Sequence, residues 1–147
     1  ATYTQLCYHI VFATKNREQV LTADRRDHLF RYMWGVIQHK QCHLYRINGV
    51  EEHLHLLVSI HPTIALSDFV KDLKLATSQW IRADRIFPRF SRWQDGYSAF
   101  TCSHDHKDTL IEYIKNQPTH HQRTTFADEL RELCIRCGID PHALHLT

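Results

Sequence analysis

Two histidines separated by one residue are the first candidates for chemistry in this chain. His53 and His55 flank Leu54, and the following residues from Leu56 to Val58 are apolar and favour a strand. Because successive side chains of a β-strand point to opposite faces, both imidazole rings are expected on one face while Leu54 turns into the core. Two imidazoles held side by side supply half of a divalent-metal site. His53 and His55 are therefore predicted metal ligands.

The chain has 13 histidines, so pairs of this kind also arise by chance. A second pair, His104 and His106, flanks Asp105 in a segment that resembles a turn entering a helix. A turn does not fix both rings on one face. For His53 and His55, the alternative of a pair that binds no metal stays open at this point.

A tyrosine and a glutamine four residues apart form the second candidate. On a helix such residues lie one above the other, so the phenol of Tyr113 and the amide of Gln117 face the same way. A phenol can act as a nucleophile, and the amide oxygen of Gln117 can serve as a third metal ligand. Imidazole and oxygen together suit manganese, cobalt, nickel or zinc, and suit magnesium less well. The alternative is that Tyr113 is a packing residue, although the polar run from Asn116 to His121 is unusual for a core helix.

Hydrophobic periodicity and turn residues predict the elements that carry these groups. The order is β, α, β, β, α, β, α, α, which favours an α+β fold: a ferredoxin-like (RRM-like) antiparallel sheet with helices packed on it. A single domain over residues 1–147 is expected from the length. The predicted elements are strands at 6–13, 43–50 and 53–60, short strands within 90–102, and helices from Thr22 or Asp24 to 39, over 67–85, from Asp105 to 117, and over 125–137.

The overall charge excludes few classes of function, because the 18 basic residues nearly balance the 16 acidic ones. The local excess between Phe69 and Gln94 is larger, with six basic against two acidic residues, and could follow a phosphate backbone or simply be a solvated helix face. Five scattered cysteines suit reduced thiols. No membrane-spanning run or leader peptide is expected, and a cytoplasmic location is predicted. A zinc site formed by Cys134, Cys137, His142 and His145 is a further possibility with unusual spacing.

These motifs resemble the single-tyrosine HUH transposases of the small insertion-sequence class, including the relatives associated with bacterial repetitive palindromes. The resemblance covers nearly the whole chain in the right order. It extends through the following segments: Thr14-Lys15-Asn16-Arg17, Gly49-Val50, His53-Leu54-His55, Trp93-Gln94-Asp95-Gly96-Tyr97, Tyr113-Ile114-Lys115-Asn116-Gln117 and His120-His121.

The resemblance implies a DNA transposase that cleaves and rejoins single-stranded DNA through a 5′-phosphotyrosine intermediate. Tyr113 would be the nucleophile, while His53, His55 and Gln117 would hold a divalent metal, Mg²⁺ or Mn²⁺. One tyrosine per chain holds one cut end, so a homodimer is expected. Family members recognise hairpin-bearing ends, and the candidate DNA contacts here are Lys15, Arg17, Arg46, Lys71, Lys74 and Arg82. Stacking of bases on Trp93, Tyr97 or Phe100 is an open alternative to a core role for those rings.

Three other functions remain open on the sequence. The first is a host-adopted HUH nuclease acting on repetitive palindromes, or a replication-type HUH nuclease with the same chemistry. The second is a non-catalytic ferredoxin-like module that binds nucleic acid, in which Tyr113 only packs. The third is a structural zinc module built on the C-terminal cysteines.

Overall fold

The computed structural model describes residues 1–142, and its centre is one four-stranded antiparallel sheet. The strand order is β2-β3-β1-β4, and each neighbouring pair runs antiparallel. The strands are β1 (Cys7–Ala13), β2 (His43–Gly49), β3 (His53–Ser59) and β4 (Ser98–Cys102). The predicted α+β antiparallel architecture is confirmed.

Helices cover both faces of this sheet. Helices α1 (Ala23–His39) and α2 (Leu66–Asp84) pack on one face, where Ile10, Leu54 and Leu56 meet their apolar stripes. The other face carries α3 (Lys107–Lys115), a single turn α4 (Gln117–His120) and α5 (Phe126–Arg136). None of the helices among residues 1–142 is long and apolar enough to span a membrane.

The register of the two central strands decides which side chains meet on the second face. Val11 pairs with His55, and Ala13 pairs with His53. Because directly opposed residues of antiparallel strands point to the same side, both histidines lie on the face covered by α3 and α5. Six of the seven residues of β3 are buried, because helices cover both faces of the sheet.

Two local predictions need correction. Asp105 does not cap the tyrosine helix, because it lies in a 3₁₀ turn from His104 to His106 and α3 begins after it. The tyrosine helix ends at Lys115, and Gln117 opens the next turn with Pro118 behind it. The β2-β3 hairpin contains a bulge between Leu44 and Arg46.

Candidate metal and nucleophile site

Four side chains converge on the sheet face below α3 and α5. Ligand atoms of His53, His55, His121 and Glu129 all lie within 4.8 Å of one another. The two strand histidines are fully buried, so the packing around β3 fixes both rings. His121 arrives from the turn after α4, and Glu129 arrives from the first turns of α5.

The Glu129 carboxylate is the centre of this group. Its Oε1 lies 3.0 Å from His55 Nε2, 3.3 Å from His53 Nε2 and 2.8 Å from His121 Nε2. Its Oε2 accepts a hydrogen bond from Gln117 Nε2 at 2.8 Å. One carboxylate therefore joins the sheet, the turn after the tyrosine helix, and α5.

The Tyr113 phenol points into the same group. Its hydroxyl donates a hydrogen bond to Glu129 Oε2, and its ring centroid lies 5.8 Å from that of His55. The tyrosine is partly exposed rather than enclosed in the core. This arrangement brings the predicted nucleophile to the predicted metal ligands.

Gln117 also reaches the group although it is outside the tyrosine helix. It is fully buried, and its Oε1 lacks a hydrogen-bond partner within residues 1–142. The four-residue spacing predicted that Gln117 lies near Tyr113 because both were expected on one helix. They are near each other, but on two helices separated at Asn116. The Gln117 amide still donates a hydrogen bond to the carboxylate of Glu129.

Two further side chains orient the strand histidines from behind. His9 Nε2 and His55 Nδ1 form a buried hydrogen bond of 2.8 Å. Glu52 Oε1 accepts from His53 Nδ1 at 3.0 Å. Such bonds fix the ring orientation and leave the Nε2 atoms aimed at the site. Glu51 is exposed, whereas the Glu52 side chain is partly buried against His53.

The protonation states follow from burial and from these contacts. Burial lowers the pKa of His55 to about 4, despite the opposing effect of Glu129. Burial, with the charge of His55 next in importance, lowers the pKa of His9 to about 3. Burial also acts to lower the pKa of His53, but its contacts with the Glu129 and Glu52 carboxylates outweigh that effect and raise the pKa.

The pKa values of the Glu129 carboxyl and the Tyr113 phenol shift in opposite directions. Burial favours the neutral form of Glu129, yet its contacts with His121, His53 and His55 outweigh that effect and hold the pKa of Glu129 far below its usual value. Burial first, and then the Glu129 carboxylate, raises the pKa of Tyr113 well above its ordinary value. The carboxylate is thus an anion and the phenol is neutral at pH 7.

The donor set fits a divalent transition metal. Three buried polar atoms in residues 1–142 lack hydrogen-bond partners, namely His53 Nε2, Gln117 Oε1 and His120 Nε2, and all three belong to residues of this site. Imidazole nitrogens with a carboxylate and an amide oxygen are ligands that manganese, cobalt or zinc accept. A cation here would satisfy these atoms and balance the Glu129 charge.

The predicted DNA contacts lie on two surfaces outside the metal group. Lys15 and Arg17 are in a 3₁₀ turn after β1, and the Arg17 guanidinium stacks over Phe126 at 5.0 Å. Arg46 is exposed on β2. Lys71, Lys74 and Arg82 border a groove of about 480 Å³ between α2 and the 93–97 loop.

Those three α2 cations differ in how firmly they are held. Lys74 Nζ donates to the carbonyl oxygen of Gln94 at 2.8 Å, and Arg82 Nη2 donates to that of Ser91 at 2.7 Å. Lys71 is exposed. Of the candidate stacking rings, Trp93 and Phe100 are buried in the core, whereas Tyr97 is 37% exposed.

The C-terminal cysteines do not form a metal group with other described residues. Cys134 packs in the core with Phe126, Leu130 and Leu133, while Cys137 is exposed. Within residues 1–142 the metal-binding arrangement is the histidine and Glu129 group. His145, the last member of the predicted zinc set, lies outside the described residues.

Sequence reasoning missed Glu129 and His9 as parts of the site. Glu129 lies three residues after Phe126 and four before Leu133, so it falls on the apolar face of α5. A charged residue at a core position of an amphipathic helix is the signal that could have identified it. His9 shares one face of β1 with Cys7 and Val11. That position predicts that His9 is buried, but it does not identify the residue that His9 contacts.

The chain is similar to known transposases. Residues 2–117 match the family described as "Transposase IS200 like". The chain is 28% identical to the ISDra2 transposase TnpA of Deinococcus radiodurans over 77% of this chain and 84% of that protein. It is 29% identical to the transposase for insertion sequence element IS200 of Salmonella typhimurium, over 75% of each chain.

Two solved structures share the fold. A crystal structure of a putative transposase from Deinococcus radiodurans superposes with a TM-score of 0.62 at 28% identity, covering 80% of this chain and 95% of that one. A repetitive-palindrome (REP) associated tyrosine transposase bound to a REP hairpin has a TM-score of 0.61 at 14% identity, covering 82% and 74%.

Proposed function

Because the chain belongs to the IS200-like transposase family, we propose that it cleaves and rejoins single-stranded DNA through Tyr113. The observation that carries this proposal is the position of the Tyr113 hydroxyl, which contacts the carboxylate at the centre of the histidine group. A packing tyrosine would not require at its hydroxyl a buried carboxylate that is itself surrounded by imidazoles. The sheet and its two helical layers are proposed to act as one domain.

The chemistry is an exchange of phosphodiester bonds. The Tyr113 oxygen attacks phosphorus, the bond from phosphorus to the 3′ oxygen breaks, and the phenolic proton is lost while the 3′ oxygen gains one. A 5′-phosphotyrosine ester and a free 3′-hydroxyl result. Attack by a 3′-hydroxyl on that ester reverses the step, so a strand is rejoined without an external energy source.

The side chains of the site have separate tasks in this step. His53 and His55 would hold a divalent cation with Gln117 as a further ligand, and Glu52 and His9 keep the two rings oriented. When bound, the cation would polarise the scissile phosphate and favour the phenolate of Tyr113. Such help is needed because burial and the Glu129 carboxylate hold the pKa of Tyr113 above its usual value.

The DNA is proposed to carry a hairpin next to its single-stranded cleavage site. A structure of the same fold was solved bound to a REP hairpin, and the basic groove beside α2 offers a surface for a phosphate backbone. The proposed contacts are Lys15, Arg17, Arg46, Lys71, Lys74 and Arg82. We further propose a homodimer, because exchange of two DNA ends requires two tyrosines.

A covalent-adduct assay tests the nucleophile. The protein is incubated with Mn²⁺ and a 5′-labelled or 3′-labelled single-stranded oligonucleotide bearing a hairpin, and then denatured. Only the 3′-labelled strand should remain attached, since the ester retains the 5′ phosphate. Tyr113→Phe should abolish the adduct and preserve DNA binding, whereas Tyr3→Phe, at a tyrosine 91% exposed, should change neither.

The assay also separates the rival functions. An adduct that persists in Tyr113→Phe would refute the assignment of the nucleophile. DNA binding by the unmodified protein without any adduct, in Mn²⁺ and in Mg²⁺, would instead favour the non-catalytic binding module.

A further inference from the structure

Two candidate metal ligands reach the sheet from the segment after Gln117. They lie beyond residues 2–117, the part of the chain that matches the transposase family. His121 follows α4, and Glu129 is in α5. Their side chains contact each other at 2.8 Å, and Glu129 Oε1 lies 3.0 Å from His55 Nε2. The C-terminal segment therefore supplies half of the four-residue group.

The surroundings of Glu129 point to a bound cation. The carboxylate is 1% exposed, and its ion pairs within residues 1–142 are all with histidine rings, namely His53, His55, His120 and His121. A buried negative charge requires a positive partner, and no lysine or arginine pairs with Glu129 among the described residues. A divalent cation balances it and gives each inward-facing Nε2 atom an electron-pair acceptor.

Gln117 contacts Glu129 in a way that suits a ligand carboxylate. Gln117 Nε2 donates to Glu129 Oε2 at 2.8 Å. The other oxygen of the carboxylate, Glu129 Oε1, lies 3.0 Å from His55 Nε2 and 2.8 Å from His121 Nε2. A carboxylate held by one oxygen keeps the other in a fixed orientation. Gln117 thus positions Glu129 in addition to any direct contact with the metal.

We propose that His121 and Glu129 complete a metal centre shared between the sheet and α5, so that cation binding fastens α5 over the site. This inference rests on the proposed function, since the centre is the one beside Tyr113. Three imidazoles with a carboxylate select Mn²⁺, Co²⁺ or Zn²⁺ over Mg²⁺, which prefers oxygen ligands and keeps its waters. The metal class and the docking of the C-terminal helix are consequently linked.

Metal binding to matched variants tests the ligand assignment. Titration calorimetry with Mn²⁺ compares the unmodified protein with Glu129→Gln, which keeps the shape and removes the charge. The Mn²⁺ affinity should fall at least about tenfold, in line with losses on disturbing metal-site residues. Glu132→Gln removes the same charge from an exposed position of α5 and should leave the affinity unchanged.

Hydrogen exchange tests the coupling to α5. Saturating Mn²⁺ should slow amide exchange across Phe126–Arg136 in the unmodified protein and in Glu132→Gln, but not in Glu129→Gln. Mg²⁺ at the same concentration should give less protection. If Glu129→Gln does not fold, His121→Gln carries both measurements with the same expected losses.

The outcomes separate this inference from the proposed function. Unchanged Mn²⁺ binding by Glu129→Gln would overturn it, and tighter binding would also identify Glu129 as a competitor of the metal. If that result accompanies a Tyr113-dependent adduct in the unmodified protein, only the inference fails. Loss of Mn²⁺ affinity in Glu129→Gln with no adduct in any metal would leave the inference standing and refute the proposed function.

Discussion

His9 and His55 share a buried hydrogen bond of 2.8 Å between Nε2 of the first and Nδ1 of the second. Only one proton can lie between these nitrogens. If His55 Nε2 binds a cation, its proton must lie on Nδ1 and be donated to His9. When His55 instead donates from Nε2 to Glu129, its Nδ1 must accept the proton of His9. Metal binding is therefore expected to reverse the tautomers of both rings.

Removal of the acceptor on His9 should weaken metal binding. His9→Phe leaves the Nδ1 proton of His55 without a partner, so the Mn²⁺ affinity should fall by about 10- to 100-fold. His9→Gln can still accept that proton and should stay within a few-fold of the unmodified protein. Calorimetric titration with Mn²⁺ measures both, and equal affinities for the two variants would contradict this role of His9.

Acid should destabilise the metal-free protein before its carboxylates titrate. The pKa of His55 is about 4 and that of His9 about 3, so both stay neutral when folded while the unfolded chain takes up protons below pH 6.5. Each histidine then removes up to about 1.4 kcal/mol of unfolding free energy per pH unit. The pKa of His53 is raised, so its contribution is present below pH 6.5 and is lost only at higher pH.

Urea unfolding in EDTA between pH 6.5 and pH 4.5 measures this loss. His9→Gln should show a clearly shallower decline than the unmodified protein, because one of the two groups no longer titrates. The depressed pKa of Glu129 adds a further loss only as the pH falls below about 4.5, its ordinary value. An unfolding free energy that stays constant between pH 6.5 and pH 4.5 would refute the neutral state of His9 and His55.

A methyl group at Gly49 should disturb the site through the backbone. A Cβ at this position would lie 2.5 Å from the carbonyl oxygen of His53 and 2.5 Å from Cδ2 of Leu54. Gly49→Ala must push β3 away at the first ligand, and we expect a loss of about 1–3 kcal/mol in unfolding free energy. The Mn²⁺ affinity should fall in the same variant.

Gly35→Ala is the matched control for that substitution. Gly35 lies in the interior of α1, and none of the residues in the described range 1–142 comes within 4 Å of an added Cβ. Alanine there should stabilise the protein by roughly 0.5–1 kcal/mol and leave metal binding unchanged. Equal effects of both substitutions would show that the Gly49 contact has no influence on β3.

The cations of α2 should differ in their contribution to DNA binding. Lys71 is exposed, so Lys71→Ala should weaken binding of a hairpin oligonucleotide and reduce the salt slope of log K by about 1, without lowering the melting temperature. Lys74→Ala should lower the melting temperature as well, because its ammonium joins α2 to the carbonyl oxygens of Gln94 and Gly96. Fluorescence anisotropy at several salt concentrations measures both, and unchanged binding by Lys71→Ala would remove α2 from the proposed DNA surface.

The sequence by itself determined the features that depend on local periodicity. Alternation along β3 placed His53 and His55 on one face, and the order of strands and helices predicted the antiparallel α+β sheet. The proximity of Tyr113 and Gln117 also followed, although the helix that was expected to carry both ends at Lys115. These features are encoded within a few residues, which is why a pattern reveals them.

Only the tertiary structure decided what completes the site. His55 and Glu129 are 74 residues apart, and His9 and His55 are 46 apart. Their meeting depends on the β1-β3 register and on the packing of α5 across the sheet, and no local period records either. The same packing buries Glu129 among imidazoles, so it also sets the charge of the carboxylate and raises the pKa of Tyr113.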